Sequence, residues 1–203
     1  LADQDMEVLY YKKSLDGEAI VLMDPNKISK ERGVPVSFMS YHVSHDASLV
    51  VYFLSDAGND KSNLYVMNVE TKEILSDFIP GHLIPLVHFV SWSHDNSGFW
   101  YTRRPENVPV GDEKFYRNIF YHKLGDTFDQ DVIVFKKDLP KEDIPTAMID
   151  STGRYLLVTV YVSSRGSDST DLYYLDLFKP ENGFVTIVAG VEAHVFADIH
   201  RDF

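Results

Sequence analysis

The apolar residues of this chain fall in short runs rather than long stripes, and four of the runs recur in step. Leu9-Tyr10-Tyr11, Leu64-Tyr65-Val66, Ile119-Phe120-Tyr121 and Leu172-Tyr173-Tyr174 are separated by 55, 55 and 53 residues. A period this long and regular marks an array of supersecondary units, each burying its apolar face against the next. A polar landmark precedes each of the last three runs by about twenty residues, as expected if both belong to one folded unit. It reads Ser44-His45-Asp46-Ala47-Ser48, then Ser93-His94-Asp95-Asn96-Ser97-Gly98, then Asp150-Ser151-Thr152-Gly153-Arg154. These small polar residues bond nearby backbone amides and mark tight turns. Each is followed by strand formers, at 49–54, 99–102 and 155–162, so each turn joins two antiparallel strands.

Laid out in register, one unit holds four strands. They are predicted at 37–43, 49–54, 64–69 and 73–79; at 86–91, 99–102, 119–124 and 132–136; and at 146–149, 155–162, 172–177 and 184–188. Long helical periodicity is missing, and turn formers such as Asp16-Gly17, 56–60 and Glu181-Asn182-Gly183 separate the strands. Kelch-type propeller blades run about 50 residues and WD40 blades about 40 to 45, so the expected fold is an all-β β-propeller fragment of four-stranded antiparallel blades. Three blades are complete, at 36–79, 86–136 and 146–188. Two are partial: 8–24 carries a third and a fourth strand, the latter at 19–24, and 192–203 opens with a first strand at 192–196. An open ring leaves sheet faces and strand edges free to associate. A fragment of a larger protein is therefore expected across 1–203, and the absence of an initiator Met at Leu1 agrees with it.

Composition narrows the partners. With 19 Lys plus Arg against 31 Asp plus Glu, the formal charge of −12 repels a phosphate backbone, so no nucleic-acid partner is expected. No run approaches the roughly 18 apolar residues of a membrane span, and no leader pattern opens the chain, so no membrane partner is expected and the cytoplasm is the default location. Zero cysteines exclude disulfides, Cys-ligated zinc and thiol nucleophiles.

Candidate chemistry inside the chain is sparse. Neither a Gly-x-Ser-x-Gly nucleophile elbow nor a Gly-rich phosphate loop occurs. His42 and His45 are three apart along a strand, which places them on opposite faces, and His194 and His200 match no ligand spacing. No metal and no cofactor are expected. The turn at 93–98 looks like the Asp-box of sialidase propellers, itself a structural turn, and side chains capping a hairpin account for all three copies. The aromatic residues of the third strands are expected to pack between blades.

Several segments resemble the propeller of the prolyl oligopeptidases. They are Ser14-Leu15-Asp16-Gly17-Glu18-Ala19 leading to Leu22-Met23-Asp24-Pro25-Asn26, then Ser91-Trp92-Ser93-His94-Asp95, then Phe120-Tyr121-His122-Lys123-Leu124-Gly125. The resemblance runs in order from about residue 8 to about 178 and covers the earlier part of that family's propeller. It implies a serine peptidase that cleaves short proline-containing peptides after proline, with a seven-bladed propeller standing over an α/β-hydrolase domain as a size filter. In that family the catalytic Ser, Asp and His lie in the hydrolase domain, so no residue here inherits a catalytic role. The chain alone is expected to be inactive, and the hydrolase domain is the expected partner.

Two carry-overs concern binding. The long connection from Arg104 to Tyr116, with Pro105, Pro109 and Gly111, corresponds to a mobile loop near the domain interface that gates access. Asp60 looks like a family acid that pairs with an arginine of the hydrolase domain, and the stretch 87–89 approaches bound substrate in the parent enzyme. For the loop and for Asp60, a solvated surface with an exposed charge remains the other reading; for 87–89 it is inner-strand packing. A free-standing propeller-like module that binds a protein through its edges or tunnel is the alternative for the whole chain, with the incomplete end blades favouring the fragment. Open blade edges are expected to give a dimer or larger species.

Overall fold

Most of the apolar runs are strands buried on both faces, because sheets are stacked on either side of them. The computed structural model describes residues 6–57, 61–83, 89–165 and 169–198. An N-terminal antiparallel pair, β1 (Leu9–Tyr11) and β2 (Ile20–Met23), precedes three four-stranded sheets. The first blade is β3 (Val36–Val43), β4 (Leu49–Asp56), β5 (Ser62–Asn68) and β6 (Ile74–Leu83). The second is β7 (Val90–Trp92), β8 (Gly98–Arg103), β9 (Asn118–Lys123) and β10 (Val132–Ile133). The third is β11 (Ile144–Ile149), β12 (Tyr155–Tyr161), β13 (Thr170–Asp176) and β14 (Val185–Val188). Every neighbouring pair is antiparallel in chain order, as the propeller expectation requires.

The pleat explains why the central strands read as continuous apolar runs. In β4, Val50, Tyr52 and Leu54 face the N-terminal pair and pack with Leu22, Met23 and Val36. Val51 and Phe53 point the other way, into a seam with Trp92, Phe99, Tyr101 and Phe120 of the second blade. The second blade repeats the division, with Trp100 and Ile119 packed against Leu156, Val158 and Val160 of the third. Alternate side chains thus enter opposite seams, and the first and second blades are core on both faces. The recurring third-strand runs reach these seams through Leu64, Ile119 and Tyr173, all buried, while Leu172 is fully buried on the other face of β13.

The polar turns line up across the blades. Ser44 Oγ and Ser48 Oγ donate to Asp46 Oδ1, and Ser93 Oγ and Ser97 Oγ donate to Asp95 Oδ1, so the two copies share one hydrogen-bond pattern. In the third copy Asp150 accepts from the amides of Thr152, Arg154 and Tyr155 in their place. The backbone N–H of His45 reaches Asn96 Oδ1 at 3.0 Å, and the rings of His45 and His94 lie 5.4 Å apart. His94 in turn sits over Gly153, where an added Cβ would meet its Cβ at 2.5 Å.

Three elements differ from the sequence expectation. An unpredicted helix, α1 (Pro25–Arg32), joins β2 to β3: Asp24 Oδ1 accepts from the amides of Asn26 and Lys27, Pro25 opens the first turn, and Gly33 closes it in a left-handed conformation. The fourth strand of the second blade, expected at 132–136, stops at Ile133, because Phe135 turns into the seam with Tyr173 and Phe184. The expected strand at 192–196 is irregular. Its backbone is held instead by Thr170, whose N–H donates to Ala193 O and whose Oγ1 exchanges hydrogen bonds with Val195. Residues 84–88 of the strand expected at 86–91 lie outside the described residues.

Candidate functional face and the network behind it

Strand direction gives the molecule two faces. The hairpin turns at 44–48, 93–97 and 150–154 lie on one, and the connections between second and third strands lie on the other. The latter, the loop face, carries the connections at 57–61, 104–117 and 162–169 and the C-terminal end of α1, where Arg32 Nη1 is 2.9 Å from Asp56 Oδ1. The connection at 104–117 therefore leaves its blade at the same end as β4 ends in the first, and Asp60 lies outside the described residues. Of the stretch 87–89, only Phe89 is described, and it is half exposed.

The loop expected to be mobile is tied at its root. Tyr116 N donates to Lys141 O at 2.9 Å, Lys141 Nζ is 2.8 Å from Asp112 Oδ1, and the same ammonium lies 4.9 Å from the Phe115 ring. Gly111 (φ 93) and Tyr116 (φ 60) adopt left-handed conformations at the two bends. Pro109 O accepts from Asp112 N, Gly111 N donates to Glu113 Oε1, and Val110 beside them is wholly exposed. Pro105 is half-buried, whereas Arg104 is 8% exposed, so Arg104 belongs to the root of the loop and not to its tip.

Toward the hairpin-turn end of the strands, the seam between the first and second blades holds a charged network that the sequence did not single out. His122 of β9 is fully buried; its Nδ1 lies 2.7 Å from Asp131 Oδ1 and its Nε2 lies 3.1 Å from Asp77 Oδ1 of β6. Ionised carboxylates only accept, so both ring nitrogens carry protons and the ring is an imidazolium. Tyr101 donates to Asp131 Oδ2 at 2.6 Å, and Gly125 N donates to Asp77 Oδ1 at 2.6 Å. Burial pulls the His122 pKa down, but the hydrogen bonds to Asp131 and Asp77 outweigh it and raise it to about 9. Burial pushes Asp77 up, and the bonds from His122 and Gly125 bring it below the usual carboxylate range. Arg103 completes the network: its guanidinium lies 4.0 Å from the Phe120 ring and donates to Phe128 O. An available sequence signal was Asp77 inside a strand run, a position where Asp is depleted.

The histidines weighed as metal ligands have other contacts. His45 Nε2 is 3.1 Å from Trp92 O, the His42 carbonyl accepts from Trp92 Nε1, and His194 stacks on Phe196. His200 lies outside the described residues. Among the described residues, no group of three or more His, Asp or Glu is placed to hold a metal ion, and no helix is long and apolar enough to cross a membrane.

Comparison with known proteins agrees with this architecture. Residues 2–202 match the family described as the prolyl oligopeptidase N-terminal β-propeller domain. The prolyl endopeptidase of Elizabethkingia meningoseptica is 29% identical over 188 residues, which cover 91% of this chain and 25% of that protein. The dual function macrocyclase-peptidase POPB of Galerina marginata is 26% identical over 156 residues, covering 72% of this chain and 21% of its own length. A solved structure from a study of two prolyl endopeptidases and their inter-domain dynamics superposes with a TM-score of 0.81 at 27% identity, covering 94% of this chain and 27% of that one. The chain spans about a quarter of the length of the curated relatives it matches. Stacked four-stranded sheets, seams filled from both sides and a match over nearly every residue place the chain in the prolyl oligopeptidase family, as part of its N-terminal β-propeller domain.

Proposed function

We propose that this chain is the substrate-gating propeller portion of a serine endopeptidase that cleaves short peptides after proline, and that it is inactive by itself. The family match over residues 2–202 carries the reading. It is supported by topology, since the connection that contains 104–116 leaves its blade at the same end of the strands as the connection between β4 and β5. In this reading the loop face meets an α/β-hydrolase domain that supplies the nucleophile, and the propeller admits peptides and excludes folded proteins. The loop from Arg104 to Tyr116 lines the entry, its excursion limited by Asp112 and Lys141. Asp60 pairs with a cation of the hydrolase domain. A Gly-Pro chromogenic reporter tests the proposal: no turnover by residues 1–203, and turnover by a polypeptide extended to include the hydrolase domain. Turnover by residues 1–203 alone, or none by the extended polypeptide, overturns it.

A further inference from the structure

Three contacts to the loop at 104–117 converge on one residue of the connection between β10 and β11. The Lys141 carbonyl accepts from Tyr116 N at 2.9 Å, its ammonium lies 2.8 Å from Asp112 Oδ1, and the same ammonium stands 4.9 Å from the Phe115 ring. All three fall on the half of the loop that returns to β9. The other half carries Val110, wholly exposed, and bends back at Gly111 with φ 93. Asp112 N donates to Pro109 O and Phe115 N donates to Asp112 O, so Asp112 joins the tip to Lys141. Glu113 acts inside the loop: its carboxylate accepts from Gly111 N, and it is the counter-charge of Arg104 at the root of the same loop.

A restraint works only if its base stays still, and Lys141 has a fixed base. Leu139 packs into the seam between the second and third blades, and Asp143 N donates to Pro140 O. Asp143 is itself 3% exposed and accepts from Ser164 N at 3.0 Å, just before β11 begins at Ile144. Strain pulls the other way at Tyr116, whose φ of 60 is unfavourable for a residue with a Cβ, and the bond from its N–H to Lys141 O helps to hold it. The Lys141 and Asp112 side chains are 37% and 19% exposed, so their ion pair is weak enough to open and is screened by salt. We propose that Lys141 is a releasable clip on the loop from Arg104 to Tyr116, and that its ion pair sets how far the loop opens and thus how large a peptide passes. The inference rests on the reading of the chain as a peptide-gating propeller; it adds the residue that fixes the size limit and makes that limit depend on ionic strength. Lys141 is a positioning residue in this role, since it acts through Asp112 and Phe115.

Hydrogen–deuterium exchange of the chain tests the clip. Lys141→Met keeps the apolar stem and removes the charge, and it is expected to speed amide exchange across 106–116 by about 3-fold, the scale of a partly exposed ion pair, with β8 and β9 unchanged. Lys141→Arg should restore most of the protection. In the parent chain, raising salt should speed the same amides, and Lys141→Met should lose most of that dependence. The salt series on the parent needs no variant, so a folding defect in either substitution leaves the test intact. Equal loop exchange in the parent and Lys141→Met, a rise shared by β8 and β9, or parent loop exchange that ignores salt overturns the proposal. In the extended polypeptide the readout is size. Turnover of a Gly-Pro reporter lengthened by a flexible Gly-Ser tract of about 20 residues, divided by turnover of the short reporter, should rise about 3-fold in Lys141→Met. An unchanged ratio overturns the size limit. No turnover of either reporter strikes the peptidase reading instead, and exchange still decides the clip.

Discussion

His122 links two blades through one ring, and its charge state sets how firmly. Its folded pKa of about 9 lies above the ordinary histidine value, so the stabilisation is complete below about pH 6.5 and is lost as pH rises through 9. The shift corresponds to about 3 kcal/mol. Asp77 has the opposite sign: its lowered pKa contributes above the ordinary carboxylate value, and the contribution is lost as pH falls through the folded value. Urea denaturation between pH 6 and 9.5 is expected to show falling stability in the parent chain and a flatter profile in His122→Gln; equal slopes would refute the role of the ring. Asp77→Asn should lower stability at neutral pH by removing one carboxylate from a buried cation, by about 3 kcal/mol or more. Gly153 is a second residue fixed by its neighbour, since it has φ 75 and lies against His94. Gly153→Ala is expected to cost about 1–3 kcal/mol by the same assay, and trimming His94 to Ala in that background should recover the steric part of the loss.

At the scale of elements, the seams store most of the stability and the helix is a local device. Leu64 is fully buried between the first and second blades, so Leu64→Ala should cost about 2–5 kcal/mol, read as a lower denaturation midpoint. The cap of α1 depends on Asp24, whose bonds from Asn26 and Lys27 hold its carboxyl below the usual range. Asp24→Ala is expected to cost about 0.5–2 kcal/mol, with circular dichroism showing the sheets intact. The strand positions were legible because central strands are apolar on both faces and the turns between them have a fixed chemistry. The helix was missed although Asp24, Pro25 and Gly33 spell its two ends, because eight mostly polar residues carry little apolar periodicity. The end of β10 was misplaced because the run 132–136 is strand-like throughout; only the pull of Phe135 into the next seam ends it.

At the scale of the whole molecule, the end sheets differ from the internal ones. Tyr10 and Val21 of the N-terminal pair and Met148 of the third blade are 40% exposed or more, whereas the outer strands are exposed in every blade, at Ile74 and Phe78, at Val132, and at Val185 and Ile187. A cavity of about 180 Å³ opens beside Thr146, Met148, Leu157 and Phe196, on the face of the third blade turned away from the second. Apolar faces of this kind favour association. Sedimentation at micromolar concentration is expected to show a dimer or larger species, and a strictly monomeric, well-folded particle would count against it.

The sequence by itself determined the repeat, the four-stranded unit, the turn chemistry and the family resemblance, because each of these is written within about 55 residues by local propensity and side-chain period. Arg104 and Tyr116 could be assigned to one loop from the chain alone. What only the tertiary structure decided were relations between units. Stacking brings Asp77 and Asp131 to opposite sides of His122, sets His94 over Gly153, and buries Arg104 while leaving Val110 in solvent. Those contacts join residues far apart in sequence, and their partners are fixed by how twisted sheets stack rather than by any local pattern.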